Sequence, residues 1–326
     1  MSTQAIFSLD SRSYEQHEFH RCERDWLESN CYIDVYIEVL NALKLDAHAC
    51  LSFTLASGFE GDQWTFFKPQ LAELKSLYGL TINELTLWKP LSQHVVEQVG
   101  RGRIVVPEVD AFYLPDTRST DYRQSHVKTT IAVSRIDEKQ KLMGYFHNAG
   151  YYELCGDDFD GVFRIDVPSP PDYLPPYCEF IKLDNLVHRS RQELCSLALR
   201  SARDQLRHRP ANPFEAYSDS IAADVDWLIT QDERTYHNYV FAGLRQCGAN
   251  FEFAAYFVDW LQAHSELDLQ RSVDGFREIS STAKMLILKI ARIARSKQPR
   301  DLAPSISQMA TAWETAMGHL DTRLME

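Results

Sequence analysis

Residues 167–176 read Val-Pro-Ser-Pro-Pro-Asp-Tyr-Leu-Pro-Pro, a density of proline that continues neither a helix nor a central strand. The hydrophobic period changes across this stretch. Before it lie short β-branched or aromatic runs broken by turns; after it, apolar residues recur at helical spacing. The charge changes in the same place. Residues 1–184 carry 17 Lys and Arg against 28 Asp and Glu, net −11, whereas 185–326 carry 17 against 18, net −1. This predicts a boundary near residue 184, with an α+β domain over 1–184 and an all-α helical bundle over 185–326.

Within the first part, Ile33, Ile37, Leu40 and Leu43 form one stripe. A helix is therefore expected from Cys31, with Asn30 as its N-cap. The runs 103–114, 126–136, 141–148 and 161–167 are rich in β-branched or aromatic residues and bounded by Asp, Gly and Pro, so each predicts a strand. Residues 137–140 suit a hairpin between the second and third of these. In the second part the steps Ile279-Ala283-Leu286-Ile290-Ile293 and Ile306-Met309-Trp313-Met317-Leu320 are amphipathic helices. With 186–208, 213–230 and 233–264 they make a bundle of about five.

Composition narrows the functional classes. At 44% hydrophobic and 25% charged residues the chain can build a core, which excludes a disordered polymer. No apolar run reaches the roughly 18 residues of a membrane span. The first residues are polar and carry acids, unlike a signal peptide, so a cytoplasmic protein is expected. A net charge of −12 argues against phosphate backbones as partners, because nucleic-acid affinity is built from clustered cations. Seven cysteines without paired spacing predict thiols rather than disulfides or a zinc site. No Walker loop, GxGxxG, HExxH or GxSxG occurs.

The arrangement richest in chemistry is a cysteine at a helix start, followed by a histidine opening a strand and a polar residue ending the next. A helix N-terminus offers partial positive charge and free N–H groups, which favour a thiolate and bind a developing oxyanion. Cys31, His126 and Asn148 occupy these positions, with His147 as the neighbouring alternative for orienting the imidazole. A core cysteine is the competing expectation. Asp62, Trp64 and Lys68, within a Gly-containing turn that runs into an aromatic strand, have the mixed character of a pocket lining. An aromatic core staple explains them equally. Glu108 and Asp110 share one face of a strand, where paired acids grip an amine, do acid–base work or form internal salt bridges. Tyr113 and Tyr151 are candidate walls of the same cleft. His17, His20 and Cys22 lack a fourth ligand, and no metal is expected there.

The blocks NCYIDVYIEVL, FEGDQWTFFK, EVDAFYLPDTRSTDYRQSHVKTTIAV and GYFHNAGYYELCGDDFDGVFRI resemble a bacterial family catalogued as domain of unknown function 1839. That resemblance spans essentially the whole chain. Its members are encoded beside carrier proteins and the ligases that load amino acids onto them. More distantly, the first half is similar to the N-terminal domain of the butirosin-biosynthesis acyltransferase, a papain-like fold that moves an acyl group from a carrier thioester to an amine. Cys31, Val109-Asp110, Tyr113-Leu114-Pro115 and His126 match that pattern. It departs at His147-Asn148, where an Asp-Pro would stand.

The resemblance implies a cysteine-dependent acyltransferase. Its substrates would be an aminoacylated acyl carrier protein, presented on the phosphopantetheine arm, and a small-molecule amine acceptor. No bound cofactor is implied. In this reading Glu108 or Asp110 holds the α-ammonium group while Trp64, Tyr113 and Tyr151 wall the side chain. The basic run Lys284 to Arg300 is a candidate face for the acidic carrier. The rival expectations are a non-catalytic protein that binds the loaded carrier, an editing thioesterase, and a cysteine peptidase.

Overall fold

A computed structural model describes residues 3–21, 24–165, 174–298 and 301–325. Most of the proline-rich linker, and Cys22, lie outside these residues. The first half contains β1 (Gln4–Ala5), α1 (Glu18–Arg21), α2 (Cys31–Ala42), α3 (Leu71–Tyr78), β2 (Thr81–Glu84), α4 (Leu91–Gly100) and β3 (Arg103–Asp110). It continues with β4 (Lys128–Thr130), β5 (Ala132–Asp137), β6 (Leu142–His147), β7 (Gly150–Cys155), α5 (Asp157–Phe163) and β8 (Cys178–Lys182). The rest is helical: α6 (Arg191–His208), α7 (Pro213–Leu228), α8 (Glu233–Val240), α9 (Gln246–Ala263), α10 (Gln270–Ser296) and α11 (Ala303–Leu324). The protein is thus α+β, with an antiparallel sheet and a helical C-terminal region. Among the described residues no helix is long and apolar enough to cross a membrane.

The chain divides into two compact units that alternate along the sequence. One comprises 1–22, 30–46 and 74–188; the other comprises 23–29, 47–73 and 189–326. Their last crossing lies close to the expected boundary at 184. The segment 47–73, however, belongs with the helices.

In the first unit the strands run β2-β8-β3-β5-β6-β7, with β1 on β5 and β4 on β3, and every pairing is antiparallel. The β5–β6 hairpin forms where expected, with Asp137 accepting from the Lys139 and Gln140 amides at 3.1 Å each. The β6–β7 turn places Asn148 at φ 43°, a left-handed conformation that Asn tolerates better than most residues. Strand alternation sorts the side chains. Val105, Val133, Met143 and Tyr145 join Phe159 and Phe163 of α5 in one core layer, while Phe146 and Tyr151 pack with Tyr14 on the other face.

The helix expected from Cys31 is α2, and Asn30 caps it, accepting from the Tyr32 and Ile33 amides at 3.1 Å each. Tyr32 to Leu40 are all buried, so α2 is a central helix rather than a surface one. The strand expected over 161–167 is instead the end of α5. Asp157, Asp158 and Asp160 sit in that helix's first turn, where acids complement the N-terminal dipole; Asp166 and Val167 lie outside the described residues.

The second unit holds the helical bundle. Its α8 and α9 run on through a π-helical turn at Phe241–Arg245, which resolves the single helix expected over 233–264 into three pieces. Trp64 is 3% exposed and packs against Phe59, Phe214, Tyr217 and Phe251. It is part of this unit's core and does not wall a cleft.

Candidate functional site

Cys31 is the first residue of α2 and is half-buried. Its thiol has one hydrogen-bond partner among the described residues, the Thr130 hydroxyl on β4, at 3.8 Å. Asn30 already occupies two of the N–H groups that a helix start leaves free. The cap makes no bond to the N–H of Cys31 itself.

The β3–β4 register carries this face outward. Glu108 pairs with Thr130, Val109 with Thr129 and Asp110 with Lys128. Because side chains alternate, Thr130 and Lys128 stand on one face with Glu108 and Asp110. Lys128 Nζ reaches Glu108 Oε1 at 2.6 Å. Just beyond the strand, His126 Nδ1 meets Asp110 Oδ2 at 2.6 Å, and its ring stacks on Phe112 with centroids 4.4 Å apart. A nitrogen facing a carboxylate carries a proton, so in the neutral ring it is His126 Nε2 that holds the lone pair. Asp110 also accepts from the Phe112 amide at 3.1 Å, which fixes the carboxylate. The two acids expected to share a strand face do so, but each is already paired, Glu108 with the Lys128 ammonium and Asp110 with the His126 ring nitrogen. Neither is an open clamp for an amine.

The group that orients His126 is thus Asp110, not Asn148. Asn148 is a turn residue, and His147 is buried and committed elsewhere. His147 Nδ1 lies 2.5 Å from Asp116 Oδ2, Nε2 lies 2.8 Å from Thr129 Oγ1, and Tyr145 donates to Asp116 Oδ1 at 2.5 Å. The carboxylate fixes the tautomer, so Thr129 donates to Nε2. This relay sits on the opposite face of β4 from Cys31, because Thr129 and Thr130 are consecutive. No hydrogen bond joins Cys31 to His126 among the described residues.

The remaining expected pocket residues separate. Tyr151 is 2% exposed and packs in the core, and burial pushes its hydroxyl pKa up to about 12. Tyr113 covers Gly161, where a Cβ would lie 2.0 Å from its ring, and takes the Arg123 guanidinium on its face. Asp62 and Lys68 are exposed and lie, like Trp64, in the second unit.

Two polar clusters escaped sequence reasoning. Glu179 is 1% exposed and accepts from the hydroxyls of Tyr32, Tyr36 and Tyr177, which raises the pKa of each tyrosine after burial has already done so. His20 sits between Glu38 and Asp34 on α2. Burial pulls its pKa down, but hydrogen bonds to both carboxylates outweigh it and bring it to about 9. The spacing of Asp34 and Glu38 at i and i+4 was readable, whereas the strand-end Glu179 gave no signal.

Residues 15–183 match the DUF1839 N-terminal domain and residues 191–322 the DUF1839 C-terminal domain. The chain belongs to the DUF1839 family. No curated protein matches it.

Proposed function

We propose that the first unit is a papain-like acyl-transfer domain in which Cys31 accepts an aminoacyl group from a carrier-protein thioester and passes it to an amine. The observation that carries the reading is a thiol at the first position of a capped, buried helix, on the sheet face that ends in the Asp110–His126 pair. The resemblance of Cys31, Val109-Asp110, Tyr113-Leu114-Pro115 and His126 to the pattern of the butirosin-biosynthesis acyltransferase domain is in keeping with it.

The steps balance. The Cys31 proton passes to His126 Nε2 and the thiolate attacks the thioester carbonyl, whose oxyanion meets the Cys31 N–H. The carbon–sulfur bond to phosphopantetheine breaks, and the departing sulfur takes the proton back. The acceptor amine then attacks the Cys31 thioester and gives its proton to His126; the amide forms and the proton returns to the Cys31 sulfur. Asp110 keeps the imidazole in the required tautomer throughout. Substrate binding must bring Nε2 to the thiol, a tightening seen in many sites that are open when empty.

A second reading is favoured by one observation. The group on the thiol is the Thr130 hydroxyl, not an imidazole, which suits a protein that binds the loaded carrier without reacting. Incubation with aminoacyl-loaded carrier separates the two. The transfer reading expects release of carrier thiol that requires Cys31. The binding reading expects a complex that survives Cys31→Ala with the aminoacyl group still on the carrier.

A further inference from the structure

The longest acid-free stretch of this acidic chain lies on α10. No Asp or Glu occurs between Glu278 and Asp301, while Lys284, Lys289, Arg292, Arg295 and Lys297 do. Three of these are committed within the unit. Lys284 pairs with Asp25 at 3.1 Å, Lys289 donates to Ser305 at 2.6 Å, and Lys297 donates to the Ile229 carbonyl. Arg292 and Arg295 are exposed, and among the described residues neither has an acidic partner.

These arginines continue an apolar stripe. Met285, Leu288, Arg292 and Arg295 step by three, four and three, so they lie on one helix face. Met285 is 50% and Leu288 59% exposed, while the opposite face, with Leu286, Ile290 and Ile293, is buried in the bundle. Tyr236 donates to the Ile287 carbonyl at 3.2 Å, and the Lys297 bond holds Ile229 nearby. Trp227, two residues before Ile229, is 50% exposed. Large apolar groups flanked by unpaired arginines are the composition of a protein-binding patch.

We propose that this stripe of α10 is the docking face for an acidic protein surface, and, resting on the reading above, that the surface belongs to the carrier that delivers the thioester. Charge complementarity selects this occupant. Arg292 and Arg295 carry charge with no acidic partner among the described residues, on a molecule whose net charge is −12, so an acidic partner is favoured here and repelled elsewhere. A nonspecific anionic membrane would meet the whole negative surface. The two apolar residues would cover the carrier's apolar contacts while the arginines meet its acids.

The test measures binding of a phosphopantetheinylated acidic acyl carrier protein to the full chain, at low and high salt. The variants are Arg292→Glu/Arg295→Glu and Leu288→Ser, with Arg271→Glu as a charge control about 30 Å away along the same helix. All are solvent-facing, and circular dichroism checks their folding. The proposal expects binding about tenfold weaker or worse in the double variant, a smaller loss in Leu288→Ser, no change in Arg271→Glu, and salt weakening only where the arginines remain. A soluble aminoacyl-pantetheine thioester reports the reaction without docking, and the double variant should turn it over normally. Equal carrier binding in all proteins overturns the docking face and leaves the transfer reading standing. Failure of wild type to use the soluble donor, with arginine-dependent carrier binding intact, overturns the transfer reading alone. Loss of phosphatidylglycerol vesicle binding, or of self-association, in the double variant without any change for the carrier assigns the stripe to another occupant and overturns the proposal.

Discussion

The Cys31 thiol donates to Thr130 across 3.8 Å, while the adjacent Thr129 turns to the other face of β4 and donates to His147 at 2.8 Å. Two neighbouring hydroxyls thus anchor one short strand to two unlike environments, a half-buried thiol and a sealed imidazole–carboxylate relay. The two histidines of this region should accordingly behave in opposite ways. His147→Ala leaves the buried Asp116 carboxylate without the imidazole N–H that it accepts from, and is expected to cost about 1–3 kcal/mol in urea unfolding. His126, with its side chain 68% exposed, should cost under about 1 kcal/mol as Ala yet slow aminoacyl transfer by about 10²–10⁴. A large stability loss with unchanged transfer for His126→Ala would reverse the assignment.

Asp110 and Asn148 make a second contrast. Asp110→Asn should lower transfer about 10²-fold, because an amide holds the imidazole in either tautomer. Asn148→Gly should leave both transfer and the unfolding midpoint unchanged, since glycine accepts a φ of 43° without strain. Transfer lost in Asn148→Gly but kept in Asp110→Asn would restore the turn residue to the site.

His20 makes stability depend on alkaline pH. An unfolded histidine releases its proton near 6.5, whereas His20, between Glu38 and Asp34, keeps it to about 9. The stabilisation is full below pH 6.5 and is lost as pH rises through about 9; it amounts to a few kcal/mol in order of magnitude. Urea midpoints at pH 6.5 and 9.5 should fall more steeply in wild type than in His20→Gln. Parallel profiles would show that the cluster does not hold a charged imidazole.

Glu73 works in a lower window. It is 5% exposed, and the Ser52 and Ser201 hydroxyls stand near it without forming an aligned hydrogen bond. Burial raises its pKa to about 7, against the smaller pull of those two serines. The unfolded carboxyl ionises near 4.5, so folding stability falls as pH rises from there to about 7. Glu73→Gln should match wild type near pH 4.5 and exceed it at pH 8, by an amount on the order of 3 kcal/mol. A variant less stable than wild type at pH 8 would contradict this.

Local signals carried much of the fold. Asn30 before an apolar stripe marked the start of α2, and the turn at 137–140 marked a hairpin, because caps and tight turns are decided by residues close in sequence. The segment 161–167 misled because its Val and Phe suit a strand, while the acids just upstream in Asp157-Asp158 start a helix that ends within it. The placement of 47–73 with the helices was not legible, since Trp64 finds Phe214 and Phe251 only through tertiary packing. At the site, Cys31, His126 and the shared face of Glu108 and Asp110 were visible as pattern. That Asp110 rather than Asn148 meets His126 depends on strand register, which pairs residues 16 apart and leaves no periodic trace.

The central claim is that Cys31 forms an aminoacyl thioester. Intact-mass spectrometry of the protein mixed with aminoacyl-loaded carrier tests it, using wild type and Cys31→Ala, both in a Cys155→Ser background that removes the thiol that is exposed among the described residues. The account predicts an added aminoacyl mass on the protein that retains Cys31 and none on its Ala counterpart. No adduct on either, with the aminoacyl group still on the carrier, would contradict it and leave a binding protein whose Cys31 only packs against Thr130.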